Sequence, residues 1–268
     1  MTRIQNKFKE LKSKNQKALI AYIMAGFPNE NSTISAVRGL VKGGADIIEL
    51  GLPFSDPLAD GPVIQNAGFV ALRKGMNFNK FLRLVRKIRK ETEVPLVLMT
   101  YSNLLYKHGY DKFIPIVKDA GIDGLILPDM AIEEAGTFLQ TAKKNNIDTI
   151  FLISPNSSPE RIKNIAAASS GFLYLVSVFG TTGMVQSFHG YTLQAIKNAK
   201  HILGKKIPLG VGFGISNSDQ VKVIIQNGAD GVIVGSAFLR LMEKTPYDKI
   251  ASKIASFTKN LKKATSLE

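Results

Sequence analysis

One glutamate stands out because the residues around it are unusual for a charged side chain. Glu49 lies within Ile47-Ile48-Glu49-Leu50-Gly51, an apolar run typical of a buried strand. A buried charge is costly unless it is paired or useful. Burial also raises the pKa of a carboxyl group, so Glu49 could donate and accept a proton near neutral pH. The alternative is an inward-facing acid satisfied by a structural hydrogen bond.

A second acid follows in a stiff loop, residues 53–62, which contains three prolines. Asp60 and Asp56 are both candidates for chemistry there. Aspartate is also common in loops for turn formation alone, so either could be structural. The loop is apolar at Phe54 and Leu58, which favours a lid or a partner-binding surface over a solvated turn.

Two glycine-containing segments could bind an anion. Residues 212–216 (GFGIS) and 234–237 (VGSA) each follow an apolar run and open a predicted helix. Glycines there let backbone N–H groups approach a phosphate at a helix N-terminus. Packing glycines are the alternative. A third segment, residues 177–184 (SVFGTTGM), is either a mobile loop that closes over a ligand or an ordinary surface loop.

The elements that must position these residues alternate regularly along the chain. Short runs rich in Ile, Leu and Val are typical of parallel strands buried on both faces. Eight such strands are predicted, at Ala18–Met24, Ala45–Leu50, Leu96–Thr100, Gly124–Leu127, Thr149–Ile153, Phe172–Val176, Pro208–Val211 and Gly231–Val234. Amphipathic segments between them, such as 31–42 and 79–89, predict helices.

This pattern predicts a single α/β domain over residues 1–268. Alternating strands and helices allow an open doubly wound sheet or a closed (β/α)₈ TIM barrel, and the length of 268 residues favours the barrel. An N-terminal helix near Arg3–Lys14 and a further helix near Pro62–Arg73, after the second strand, are extra. A recurring Gly-Ala/Ile-Asp unit at residues 44–46, 121–123 and 228–230 predicts helix-to-strand turns.

Composition excludes several classes of function. The chain has no cysteine, so thiolate chemistry and disulfides are excluded, and no apolar run is long enough to span a membrane. We expect a cytoplasmic protein with no secretion signal. His108, His189 and His201 lack metal-ligand spacing and fall in helix or loop segments, so we expect surface residues and no metal site. The net charge of +14 is spread out without interleaved aromatic residues, which disfavours nucleic acid as a partner.

The chain resembles one known family along nearly its whole length. The run from Glu49 to Gln65 (ELGLPFSDPLADGPVIQ) is similar to a signature of tryptophan synthase α subunits. Supporting matches, in chain order, are Ala25-Gly26-Phe27-Pro28, Thr100-Tyr101-Ser102-Asn103, Leu127-Pro128-Asp129, Thr182-Gly183, Gly212-Phe213-Gly214-Ile215 and Gly235-Ser236.

The resemblance implies a lyase that splits indole-3-glycerol phosphate into indole and glyceraldehyde 3-phosphate. Glu49 matches the family's acid/base, and Asp60 matches the carboxylate that engages the indole N–H. The other positions implied are Tyr22, Tyr101, Tyr174 and Phe213 on the indole side, Gly183, Gly214, Gly235 and Ser236 at the phosphate, Thr182 in the mobile loop, and Pro53, Asp56 and Leu58 at the partner interface.

The partner implied is a tryptophan synthase β subunit in an α₂β₂ complex, which would receive the indole. Pyridoxal phosphate is expected in that subunit only, and no cofactor is expected in this chain. Protonating indole C3 creates an electron sink, so the reaction needs one carboxyl group to move protons and one ionised carboxylate at the ring nitrogen. A stand-alone indole-releasing lyase and a non-catalytic phosphate-binding barrel are the alternatives.

Overall fold

The chain forms a barrel of parallel strands surrounded by helices. A computed structural model describes residues 1–176 and 190–266. The strands in those ranges are β1 Ala18–Met24, β2 Ile47–Gly51, β3 Leu96–Met99, β4 Gly124–Ile126, β5 Asp148–Ile150, β6 Leu152–Ile153, β7 Leu173–Val176, β8 Leu209–Gly212 and β9 Gly231–Val234. They pair in parallel in the order β5-β4-β3-β2-β1-β9-β8-β7-β6.

The chain itself joins the two ends of this order. β5 and β6 lie at opposite ends of the sheet and are separated only by Phe151. β5 pairs with β4 and β6 pairs with β7, so the strand is divided where it changes neighbours. The strand predicted over residues 149–153 is therefore not continuous and consists of two short strands, which corrects the prediction. Together, β5 and β6 supply the strand of one strand–helix unit, so the barrel has eight such units. The predicted (β/α)₈ barrel is confirmed.

The helices of the described residues surround the strands. They are α1 Arg3–Ser13, α2 Glu30–Gly43, α3 Pro62–Arg73, α4 Phe78–Arg89, α5 Ser102–His108, α6 Tyr110–Ala120, α7 Gly136–Lys144, α8 Pro159–Ala168, α9 Gly190–Leu203, α10 Ser218–Gln226, α11 Ser236–Lys244 and α12 Ile250–Lys263. The two predicted extra helices are confirmed as α1 and α3. The short α5 after β3 and the doubling of the last unit into α11 and α12 were not expected.

The predicted Gly-X-Asp turns have a structural role at the N-terminal end of the barrel. Gly44 ends α2 with φ of +92°, a conformation that glycine adopts without a steric cost. Asp46 then accepts a hydrogen bond from the backbone N–H of Leu19 (2.7 Å), at the start of the neighbouring strand. The same bond joins Asp123 to Leu96 and Asp230 to Leu209. Each aspartate thus aligns two adjacent strands.

Side-chain alternation along the strands decides what lies inside the barrel. Successive side chains of a strand point to opposite faces. Ile47 packs in the barrel interior beneath α1, which closes the N-terminal end through its buried Ile4, Phe8 and Leu11. Glu49 is two residues further along β2 and shares that inward face. The interior is therefore apolar at the N-terminal end and carries a carboxyl group toward the C-terminal end.

Candidate active site

Glu49 lies inside the barrel with its carboxyl group fully buried. Its exposed fraction is 0%, and neither Oε1 nor Oε2 has a hydrogen-bond partner among the described residues. In the parallel register it stands opposite Tyr22 on β1 and Val97 on β3. Burial raises the pKa of Glu49 to about 8. The alternative was that a structural hydrogen bond satisfies Glu49, but the described part of the chain provides no partner for such a bond.

Asp60 closes the loop between β2 and α3. Its Oδ1 is buried without a hydrogen-bond partner in the described ranges. Burial raises the pKa of Asp60 to about 6, opposed by a hydrogen bond from the Tyr101 hydroxyl. The backbone N–H of Asp60 donates to the Pro57 carbonyl at 3.0 Å, and Gln65 Nε2 donates to the Asp60 carbonyl at 2.8 Å. These hydrogen bonds therefore fix the backbone of Asp60, while its Oδ1 has no partner among the described residues.

Tyr101 anchors this loop from the end of β3. Its hydroxyl accepts a hydrogen bond from the backbone N–H of Ala59 at 3.0 Å, next to Asp60. The ring of Phe54 stacks on the Tyr101 ring with centroids 5.0 Å apart. The predicted role of Tyr101 was contact with the indole. The structure adds a second role that sequence reasoning missed, which is to hold both the start and the end of the loop.

Tyr22 extends between two glycines at the C-terminal ends of β2 and β9. A Cβ at Gly51 would collide with the Tyr22 hydroxyl, and a Cβ at Gly235 would lie 3.2 Å from its ring. Gly51 was not predicted as a site residue. Glycine at a strand end often marks close approach by another group, which was the available signal. Tyr22 therefore connects the carboxylate side of the barrel to the segment after β9.

Tyr174 occupies the equivalent place on the other side of the barrel. A Cβ at Gly212 would lie 2.8 Å from the Tyr174 hydroxyl, so this glycine also makes room for a phenol. Burial, followed by the negative charges of Glu49 and Asp60, raises the pKa of Tyr174. The same causes raise the pKa of Tyr22. Both acids and both phenols therefore share one site, in which the phenols stay protonated.

Two of the predicted phosphate-binding glycines, Gly214 and Gly235, lie after β8 and β9, which are adjacent strands. Gly214 has φ of +67°, and α10 begins only at Ser218, with its N-terminus capped by Asn217. The prediction that residues 212–216 open this helix directly is corrected. By contrast, α11 begins at Ser236 directly after Gly235, and no side chain of the described residues caps its N-terminus. Its first N–H groups have no partner within the helix, which makes α11 the better anion site.

The predicted partner-facing residues differ in exposure. Leu58 is 81% exposed, which is unusual for a leucine in a stiffened loop, and Asp56 is exposed beside it. Pro53 is buried, and it lies against Gly68 of α3. Leu58 and Asp56 are therefore available to a partner, whereas Pro53 shapes the loop from beneath. Phe213 is buried directly after β8.

Comparison with known proteins shows which family the chain belongs to. A family model described as tryptophan synthase alpha chain matches residues 8–266. The chain belongs to the tryptophan synthase alpha chain family. The alpha chain of Methanosarcina acetivorans is 48% identical over 242 residues, which are 90% of this chain and 87% of that one.

Solved structures of this family have the same fold. A structure of Mycobacterium tuberculosis tryptophan synthase superposes with a TM-score of 0.90 at 34% identity, covering 100% of this chain and 99% of that chain. A tryptophan synthase complex from Pyrococcus furiosus gives a TM-score of 0.85 at 33% identity, covering 92% and 98%. The barrel fold is therefore shared with tryptophan synthase structures.

The two histidines in the described ranges, His108 and His201, differ in exposure. His108 is half-buried, with Nδ1 2.9 Å from the Leu104 carbonyl oxygen and its ring on Phe78, so the prediction of a surface residue is only partly met. His201 is exposed, and His189 lies outside the described residues. Across residues 1–176 and 190–266, no three potential ligands cluster as a metal site, and no helix is long and apolar enough to cross a membrane. Thr182 and Gly183 also lie outside these ranges.

Proposed function

We propose that this alpha chain is a lyase that cleaves indole-3-glycerol phosphate into indole and glyceraldehyde 3-phosphate. The observation that carries the proposal is a pair of carboxyl groups in one site with different raised pKa values, about 8 for Glu49 and about 6 for Asp60. At pH 7, Glu49 is then mostly protonated and Asp60 is mostly ionised. One acid and one carboxylate are therefore present together at neutral pH.

The reaction assigns a separate step to each group. Glu49 donates its proton to C3 of the indole ring, and the ring nitrogen gains positive charge as an indolenine forms. Asp60 accepts a hydrogen bond from that N–H and stabilises the charge. Ionised Glu49 then removes the proton of the side-chain hydroxyl next to C3. The carbon–carbon bond breaks, its electrons return to the ring, and indole and an aldehyde are released with Glu49 protonated again.

The other residues of the site bind the two ends of the substrate, which are the indole ring and the phosphate group. Tyr22, Tyr101, Tyr174 and Phe213 offer aromatic surface on the indole side. The uncapped N-terminus of α11, with Gly235 and Ser236, offers N–H groups and a positive dipole end to the phosphate, and Gly214 adds bare backbone nearby. With an aromatic surface for the indole ring and an anion-binding helix end for the phosphate, the site orients the substrate so that the scissile bond lies near Glu49.

We also propose that the chain works with a β subunit in the cytoplasm, as an α₂β₂ complex. The exposed Leu58 beside Asp56 supports a partner surface on the loop that carries Asp60. A partner bound there would contact the element that positions a catalytic carboxylate. Pyridoxal phosphate belongs to the β subunit in this proposal, and the chain described here needs no cofactor for the cleavage.

The decisive experiment measures indole release from indole-3-glycerol phosphate, with and without an added β subunit. We expect release by the wild-type chain and stimulation by the β subunit. Glu49→Gln should abolish release while the substrate still binds, and Asp60→Asn should reduce it severely. Glu160→Gln, an equal change at an exposed position in α8, is the matched control.

Three outcomes would change the proposal. Ordinary turnover by Glu49→Gln would exclude it as the proton shuttle. Full turnover by the isolated chain, unaffected by a β subunit, would favour a stand-alone lyase. Binding of substrate by the wild-type chain without any indole release would favour a non-catalytic phosphate-binding barrel.

A further inference from the structure

A cavity lies at the opposite end of the barrel from the two carboxylates. Its volume is about 850 Å³, and it opens between α1, the end of α8 and the turn that joins α9 to β8. Residues that immediately precede β1, β7, β8 and β9 line it, so it belongs to the N-terminal end of the strands. None of the residues assigned to the cleavage reaction contributes to its walls.

Lysines dominate the charge of this cavity, which we name the lysine cleft. Its lining contains seven lysines and one acid, Asp230; the lysines are Lys9, Lys12, Lys17, Lys163, Lys200, Lys205 and Lys206. Asp230 pairs with two of them, Lys17 at 3.1 Å and Lys200. The other five have no ion pair or hydrogen bond from their ammonium groups within the described ranges. The cleft therefore concentrates positive charge that the described part of the chain does not neutralise.

The floor of the lysine cleft is apolar. Phe8 and Leu11 of α1 line one side, and Leu203 and Ile207 line the other. All four side chains are buried in the core, and the partly buried Ala166 and Ile202 beside them leave apolar surface that a ligand can reach. A ligand that fits must combine several negative charges with an apolar body.

We propose that the lysine cleft binds a small organic polyphosphate, of the nucleoside di- or triphosphate class. Lysine is a compact point charge suited to phosphate oxygens, and no arginine contributes to the described lining. A volume of about 850 Å³ lies in the range of small-molecule sites. Single-stranded nucleic acid would need exposed aromatic rings between the lysines, and Phe8 is only 8% exposed. The proposal is independent of the cleavage reaction.

The test is calorimetric titration of the full chain with ATP and with tripolyphosphate. Millimolar glycerol 3-phosphate in every titration occupies the phosphate site proposed near Gly235. We expect ATP to bind in a salt-sensitive way, and more tightly than tripolyphosphate because its ring system covers the apolar floor. The double variant Lys205→Gln/Lys206→Gln should weaken ATP binding about tenfold, because two exposed charges near the ligand are lost.

Two further variants make the result decisive. Lys143→Gln/Lys144→Gln removes two exposed charges from α7, outside the cleft, and should leave ATP binding within about twofold. Lys12→Gln/Lys163→Gln tests the cleft again if the first double variant folds poorly. Absence of ATP binding at millimolar concentration, or equal weakening by the α7 variant, would overturn the proposal. Tighter binding of a short single-stranded oligonucleotide than of ATP, lost in the cleft variant, would overturn it in favour of a nucleic-acid surface.

Discussion

Replacing Glu49 with glutamine should change how the stability of the protein depends on pH. The pKa of Glu49 is about 8 in the folded chain, against 4.5 for an unburied glutamate, and burial is the cause. Between these two values the folded state holds a proton that the unfolded state has released. The free energy of unfolding therefore falls as the pH rises through this window. Glutamine is neutral throughout, so the variant lacks this dependence.

The size of the effect follows from the shift in pKa. Raising the pH from about 5 to about 8 should lower the wild-type free energy of unfolding by about 3 kcal/mol through Glu49 alone. Other titrating groups are present in both proteins, so they cancel in the difference between wild type and variant. Any unsatisfied amide in Glu49→Gln adds a constant cost that does not change with pH. The pH dependence of the difference thus isolates Glu49.

Urea unfolding of both proteins at several values between pH 5 and pH 8 measures this difference, with Glu160→Gln as the control. We expect Glu49→Gln to gain stability relative to wild type by about 3 kcal/mol across the range, and the control to show no trend. A difference that stays constant with pH would refute the reasoning. It would mean that Glu49 ionises normally and is not held protonated by burial.

Three further predictions concern the same site. The kcat/KM of indole release should be bell-shaped with limbs near pH 6 and pH 8, because activity needs ionised Asp60 and protonated Glu49. Tyr101→Phe should raise the pKa of Asp60, moving the acidic limb upward, and lower kcat/KM about tenfold as the loop loses a hydrogen bond at Ala59. Gly51→Ala should strongly reduce kcat/KM by displacing the Tyr22 hydroxyl, and adding Tyr22→Phe should restore part of the loss.

Each of these predictions has its own contrary result. A profile that stays flat from pH 5 to pH 9 would argue against the two-carboxyl scheme. An unchanged acidic limb in Tyr101→Phe, matching the control Tyr106→Phe at an exposed position, would separate Tyr101 from Asp60. If adding Tyr22→Phe restores no kcat/KM, then displacement of the Tyr22 hydroxyl is not the cause of the loss in Gly51→Ala.

The barrel itself was largely predictable because its elements are set by local patterns. Apolar runs of four to seven residues, separated by amphipathic helices, require a parallel sheet covered on both faces. The turn at Gly44 and Asp46 could be located from two residue types. The division of the fifth strand at Phe151 could not, because it depends on which neighbours the strand meets when the barrel closes.

The candidate site shows the same division between local and tertiary information. The position of Glu49 in a buried strand follows from the sequence pattern. That Glu49 has no hydrogen-bond partner among the described residues is known only once all the neighbouring strands are in place. The contact between Tyr22 and Gly51 joins residues from two strands, and Tyr101 reaches Asp60 from a third. These contacts are set by strand register and loop geometry, which no local pattern contains.

By itself, the sequence determined that Glu49 is a buried acid, that Asp60 lies in a stiff loop and that two glycine segments follow neighbouring strands. Tertiary structure alone decided that the two acids share a site with two phenols and have different pKa values. It also gathered lysines as distant in the chain as Lys9 and Lys206 into one cleft. The physical reason is that burial and charge proximity depend on three-dimensional neighbours, which the closing of the barrel brings together.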